Sequence, residues 1–158
     1  MKKRYYILLI IILCFIDQIS KLLVVKYLSN NNSLILINNF LKLLYIKNTG
    51  ISFGLLSGKK ITIILLSILI IGYMIYEFIK SDNKLHLIST ILIISGAFGN
   101  LIDRIFRGYV VDFISFTFFG YEASIFNVAD SFITIGVIFY IINIILEGKY
   151  GKDNSGQW

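Results

Sequence analysis

The 158 residues carry 57% hydrophobic side chains, only 15% charged ones and a mean hydropathy of +0.81. Soluble domains run at about 45–50% apolar and about 25% charged, so the composition excludes an ordinary soluble fold and points to a lipid-embedded one. The net charge of +6 is read as cationic flanks beside anionic headgroups. Nucleic-acid binding is not expected, because no basic helix or basic-aromatic motif is present. The one cysteine, Cys14, excludes an intrachain disulfide and reads as an apolar core residue.

Four stretches reach the roughly 20 apolar residues that a spanning helix needs: 5–25, 61–79, 85–102 and 126–146. Lys2, Lys3 and Arg4 precede the first, and no small-x-small cleavage site follows it, so it reads as an uncleaved helix. The stretch 26–60 differs. Two short β-prone runs, 34–37 and 40–46, flank Asn38-Asn39, a turn signal. Asn48-Thr49-Gly50 and Ser57-Gly58 add turns. A small sheet is therefore expected between helices one and two, outside the hydrocarbon. The other long connection, 105–125, is rich in Phe, Tyr and Gly. Lys80-Ser81-Asp82-Asn83-Lys84 is a short turn, and the polar tail after Glu147 is expected to be flexible. The expected fold is a membrane all-α bundle of four transmembrane helices with a small extracytoplasmic sheet, in one domain spanning 1–158.

Orientation follows from basic residues. Seven Lys and Arg would lie on one side and eight on the other, but the seven are packed into three short flanks, which carry the positive-inside signal. Both termini are expected in the cytoplasm. That topology gathers Asp17 and Lys21, Asn48, Asn100 with Asp103 and Arg104, Asp112, and Asn127 with Asp130 at the outer surface. The inner halves of helices two and four read as almost wholly apolar, which argues against a proton-conducting transporter. A non-enzymatic scaffold would tolerate single Asp substitutions.

Burying a charge at the bilayer centre costs about 2.5–3.5 kcal/mol on insertion scales, so these acids need a partner or a function. Asp17 and Lys21 are i,i+4 and can pair. Gly96, Asn100, Asp103 and Arg107 form one helical stripe, and Ser95 with Gly99 is a small-xxx-small pair suited to close packing. Asp103 could be neutralised by its neighbour Arg104. Two carboxyls held close can share a proton, one polarising a carbonyl while the other takes a proton from water. A zinc site would lack its usual His and Cys ligands, and a serine triad its base; the sole histidine, His86, lies at the other end of helix three. Asp112 sits in the apolar run Val110-Val111-Asp112-Phe113-Ile114, where desolvation favours the protonated form. Asp130 falls in the first turn of helix four, where the dipole favours negative charge. Composition alone does not choose the working pair among Asp17, Asp103, Asp112 and Asp130.

Five segments in order resemble one family. They are Asp17-Gln18-Ile19-Ser20-Lys21, Asn48-Thr49-Gly50-Ile51-Ser52-Phe53, Gly96-Ala97-Phe98-Gly99-Asn100-Leu101-Ile102-Asp103-Arg104, Val110-Val111-Asp112-Phe113 and Phe126-Asn127-Val128-Ala129-Asp130-Ser131. Together they resemble bacterial lipoprotein signal peptidase, also called signal peptidase II. The resemblance implies an aspartyl peptidase of the bacterial plasma membrane that cuts prolipoproteins before a diacylglyceryl-modified cysteine. It implies Asp112 and Asp130 as the catalytic pair. It implies Asp17, Lys21, Asn48, Asn100, Asp103, Arg104 and Asn127 as substrate-binding or supporting residues. No metal or cofactor is expected. The expected partners are prolipoproteins and membrane lipids, and the expected state is a monomer. Two departures stand out: Ser95 where the family usually has glycine, and Ile51 where it has alanine, a change that could narrow the substrate site.

Overall fold

The computed structural model describes residues 3–30, 32–51, 56 and 58–153, with side chains to residue 148. Helix α1 spans Lys3–Leu28, α2 Lys60–Lys80, α3 Lys84–Phe106 and α4 Val128–Asp153. All four are long and apolar enough to cross a membrane. Each expected span lies within its helix except at the start of α4, where Phe126 and Asn127 precede it. Of the tail expected to be flexible, the part to Asp153 continues α4, and residues 154–158 lie outside the described residues. Ser52, Phe53 and Ser57, which the motif and turn readings used, lie outside the described residues.

Helix α3 is the hub. Its apolar window is 67% buried, against 17–22% in the other three helices. Those three wrap around it and leave Leu, Ile and Phe side chains exposed along their outer faces. An exposed apolar surface of that extent suits contact with lipid. Glycines allow the tight approach. A Cβ on Gly136 of α4 would lie 2.9 Å from the Ser89 carbonyl oxygen of α3, and one on Gly96 or Gly99 would overlap Ala129 or Asp17.

The sheet caps one end of the bundle, and both long connections build it. Strands β1 (Ser33–Ile37) and β2 (Leu41–Asn48) come from the first. Strands β3 (Val110–Phe118) and β4 (Tyr121–Glu122) come from the second. The order is β1-β2-β3-β4, antiparallel throughout. The expected two-run sheet thus gains two strands from 105–125. The Asn38-Asn39 turn is present, with Asn39 at φ 56°, a left-handed conformation that asparagine tolerates. Gly108, at φ 84°, ends α3 with its N–H on the Asp103 carbonyl and turns the chain into β3. Register then places Asp112 opposite Ile46 and Val110 opposite Asn48. The backbone of Phe126 bonds to Phe113 and Ile114, which brings the start of α4 against β3.

Candidate active site

Four acids from three helices and one strand meet where the sheet joins the bundle, and they separate into two groups. Asp17, Lys21 and Asp103 are 0% exposed. The Lys21 ammonium lies 2.9 Å from Asp17 Oδ2, 3.2 Å from Asp103 Oδ2 and 2.9 Å from Asn100 Oδ1. Asp17 Oδ1 accepts the Ala129 N–H at 3.0 Å, so a side chain of α1 caps the first turn of α4. Asp103 also accepts the Val111 N–H at 3.1 Å and pairs with Arg107. Two carboxylates face two cations, the balance a buried ionic group requires. The expected i,i+4 pair of Asp17 with Lys21 is present. The expected Asp103–Arg104 neutralisation is a correction: adjacent helical residues point apart, and Lys21 and Arg107 take that place. Arg104 instead donates to the Gly50 carbonyl at 3.1 Å and lines the cavity.

Asp112 and Asp130 form the second group. Both line a cavity of about 700 Å³ together with Asn48, Ile51, Asn100 and Arg104, which continues down between helices past Ile70, Ile93 and Ile133. Three asparagines hold the two carboxyls. Asn48 Nδ2 donates to Asp112 Oδ2 at 2.8 Å, and Asn127 Nδ2 to Asp112 Oδ1 at 2.6 Å. Asn100 Nδ2 donates to Asp130 Oδ1 at 2.7 Å. Each amide is oriented by what its oxygen accepts. Asn48 Oδ1 takes the Gly50 N–H at 2.9 Å, Asn100 Oδ1 takes Lys21, and Asn127 Oδ1 takes the Asp130 N–H at 3.0 Å. The amino groups are thereby aimed at the carboxyls. Asn127 and Asp130 also cap α4 reciprocally, since Asp130 Oδ2 accepts the Asn127 N–H at 3.3 Å.

Burial pushes the Asp112 carboxyl up to about 6, and the nearby charge of Asp130 adds to the rise. The hydrogen bonds from Asn48 and Asn127 and the charge of Lys21 act the other way. A carboxyl that keeps its proton up to about pH 6, beside a second carboxyl in one cavity, can form an acid–base pair with it.

The family model described as Signal peptidase (SPase) II matches residues 9–146. The chain belongs to the signal peptidase II family. It is 40% identical over 158 aligned residues to a lipoprotein signal peptidase of Staphylococcus epidermidis, covering 96% of this chain and 98% of that one. It is 42% identical to that of Caldanaerobacter subterraneus over 135 residues, covering 85% and 91%. A solved structure described as a bacterial membrane enzyme superposes with a TM-score of 0.84 at 36% identity, covering 91% of this chain and 89% of that one.

Within this signal peptidase II fold, every candidate named from sequence reaches the sheet-capped end, and all nine are linked by the contacts above. Sequence reasoning missed Gln18 as a participant. Its amide donates to Asp17 Oδ2 and the Gly99 carbonyl, both at 3.1 Å. Its place next to Asp17 was the available signal. Ser95 fits without strain, buried with its hydroxyl on the Ile91 carbonyl at 2.7 Å. Ile51 lines the cavity. The inner halves of α2 and α4 are almost wholly apolar, with isolated polar residues that gather. Glu77 of α2, His86 of α3 and Asn143 of α4 meet at the far end, where His86 Nε2 lies 3.2 Å from Glu77 and Nδ1 lies 3.3 Å from Asn143 Nδ2.

Proposed function

We propose that this peptidase is an aspartic endopeptidase working at the membrane surface. It removes signal peptides from prolipoproteins by cutting before a diacylglyceryl-modified cysteine. One observation carries the reading: Asp112 and Asp130, held by oriented asparagines, line one cavity that runs from the sheet into the apolar helix faces. The lipid-modified cysteine and the apolar segment before it suit the apolar walls, and the scissile bond suits the polar end.

In this reading Asp112 carries the shared proton and hydrogen-bonds the scissile carbonyl oxygen. Asp130 takes a proton from water, whose oxygen attacks the carbonyl carbon. The tetrahedral intermediate collapses as the C–N bond breaks, and the leaving amine receives a proton from the pair. Asn48 and Asn127 fix the Asp112 carboxyl, and Asn100 fixes that of Asp130. Preorganised donors of this kind cost no reorganisation during reaction. Arg104 places a fixed positive charge on the cavity wall. Lys21, Asp17 and Asp103 support the site from behind without reaching substrate. Both termini lie in the cytoplasm, and the sheet and the acid pair lie at the outer face.

The test is incubation of the purified protein with a diacylglyceryl-modified prolipoprotein, with product masses read by mass spectrometry. The reading predicts a mature product starting at the modified cysteine. Absence of product, or cleavage at another bond, would contradict it.

A further inference from the structure

The cavity walls continue toward the far end of the bundle. On α3 the lining residues Arg104, Asn100, Ala97 and Ile93 share one angular position of a 3.6-residue helix. Seven residues on from Ile93, the same stripe reaches His86. On α2, Ile70 lines the cavity and the same step reaches Glu77. On α4, Ile133 leads to Tyr140 in the same way. These three end residues meet. His86 Nε2 is 3.2 Å from Glu77 Oε2, and the His86 and Tyr140 rings lie 5.2 Å apart. Asn143 fixes the other ring nitrogen. The cleft between α2 and α4 therefore ends in a polar wall.

That wall holds a carboxyl that is hydrogen-bonded by the Tyr140 side chain and still partly exposed. The His86 side chain is 9% exposed while that of Glu77 is 22% exposed. His86 Nε2 makes no directed hydrogen bond among the described residues, so its contact with Glu77 is a loose one. No lysine or arginine pairs with Glu77 among the described residues. Lys80 lies over the Tyr76 ring, and Lys3 reaches the Ile79 carbonyl and Asp82.

The spacing matches a signal peptide. His86 and Asn100 are fourteen residues apart on one helix, about 21 Å at 1.5 Å per residue. A signal peptide has an apolar core of about 7–15 residues behind a positively charged n-region. A helical core at the upper end of that range would reach from the acid pair to the polar wall. The preceding lysine or arginine would then extend its stem along the apolar surface to a carboxyl.

We propose that Glu77, in the polar wall beside His86 and Tyr140, binds the first basic side chain of the substrate's n-region and so recognises the end of the signal peptide opposite the scissile bond. This rests on the peptidase reading above and adds a second point of recognition to it.

The experiment compares two diacylglyceryl-modified prolipoproteins, one with lysines in the n-region and one with glutamines there, on the wild-type protein and on Glu77→Gln. For the wild type, the neutral substrate is expected to have a KM about fivefold higher at unchanged kcat, the worth of one partly exposed charge pair. In Glu77→Gln the two substrates should converge, and Glu77→Lys should reverse the order, favouring the glutamine-bearing n-region over the lysine-bearing one. A wild-type enzyme that cuts both substrates with equal KM would overturn the proposal, and that arm needs no variant. So would a preference that persists in a Glu77→Gln protein with a normal thermal midpoint. Failure of the wild type to cut either substrate would overturn the peptidase reading itself, and this inference with it.

Discussion

Asp17 and Asp103 differ from Asp112 and Asp130 in what surrounds them, not in residue type or depth along the chain. The first two are sealed and answered by full charges, Lys21 and Arg107. The second two face a cavity, have their oxygens held by neutral asparagine amides, and share that cavity with the Arg104 guanidinium, which makes no ion pair with either. A carboxylate matched to a cation is stable and inert. A carboxyl matched to amides keeps a proton equilibrium that can turn over. On the peptidase reading proposed above, acids gathered at one end of the bundle divide into scaffold and chemistry by whether cations or amides hold their oxygens.

The largest expected effect breaks that comparison at its reactive side. Asp112→Asn or Asp130→Asn should lower kcat by at least about 10³-fold, since positioned acid–base groups contribute roughly 10²–10⁴-fold each and the pair acts as a unit. The folded state should persist, judged by thermal unfolding in detergent. On the sealed side, Lys21→Met leaves two buried carboxylates short of a cation and should cost about 3–5 kcal/mol of stability. Its signature is a lowered unfolding midpoint, with a smaller loss of rate in the fraction still folded, because Lys21 also orients the Asn100 amide that holds Asp130. Gly99→Ala drives a methyl into Asp17 and should cost about 1–3 kcal/mol, the range for overpacking, read in the same way.

How much of this was legible in the sequence follows the same division. The four spans, the β1–β2 hairpin and the i,i+4 pair of Asp17 and Lys21 rest on local spacing, and spacing is visible in one dimension. The placement of Asp112 on a strand beside Asn48 is not, because β3 joins β2 across 64 residues of chain at the Asn48–Asp112 contact. Asp103 illustrates the limit. Its chain neighbour Arg104 was the obvious partner, yet helix geometry sends it elsewhere and brings in Arg107 one turn on. The far-end group of Glu77, His86 and Asn143 was missed for the same reason, since three helices each contribute one residue. Ile70, Ile93 and Ile133 lie between that group and the acid pair. The two polar regions are thus separated by an apolar layer, and the structure does not restore the proton-relay alternative.

A finer prediction sharpens the comparison through pH. The Asp112 carboxyl lies at about 6 in the folded protein, above the ordinary value of about 3.9. The folded state therefore holds a proton that the unfolded chain has released. Stability from this group is full below about pH 4 and is lost as pH rises through about 6. Asp112→Asn should remove that dependence, seen as a flatter plot of unfolding midpoint against pH. Catalysis that needs the proton on Asp112 should fall on the alkaline side with an apparent pKa near 6. Asn48→Ala removes a donor that favours the ionised form, so it should move that alkaline limb to higher pH. A limb that stayed in place would mean that Asp112 does not govern it.

The most direct test of the division is to measure the cleavage rate and the unfolding midpoint of Asp112→Asn and Asp17→Asn side by side. The account predicts a folded but inactive Asp112→Asn, and a destabilised Asp17→Asn whose remaining folded fraction still cuts. A folded Asp112→Asn that cleaves at the wild-type rate would contradict it.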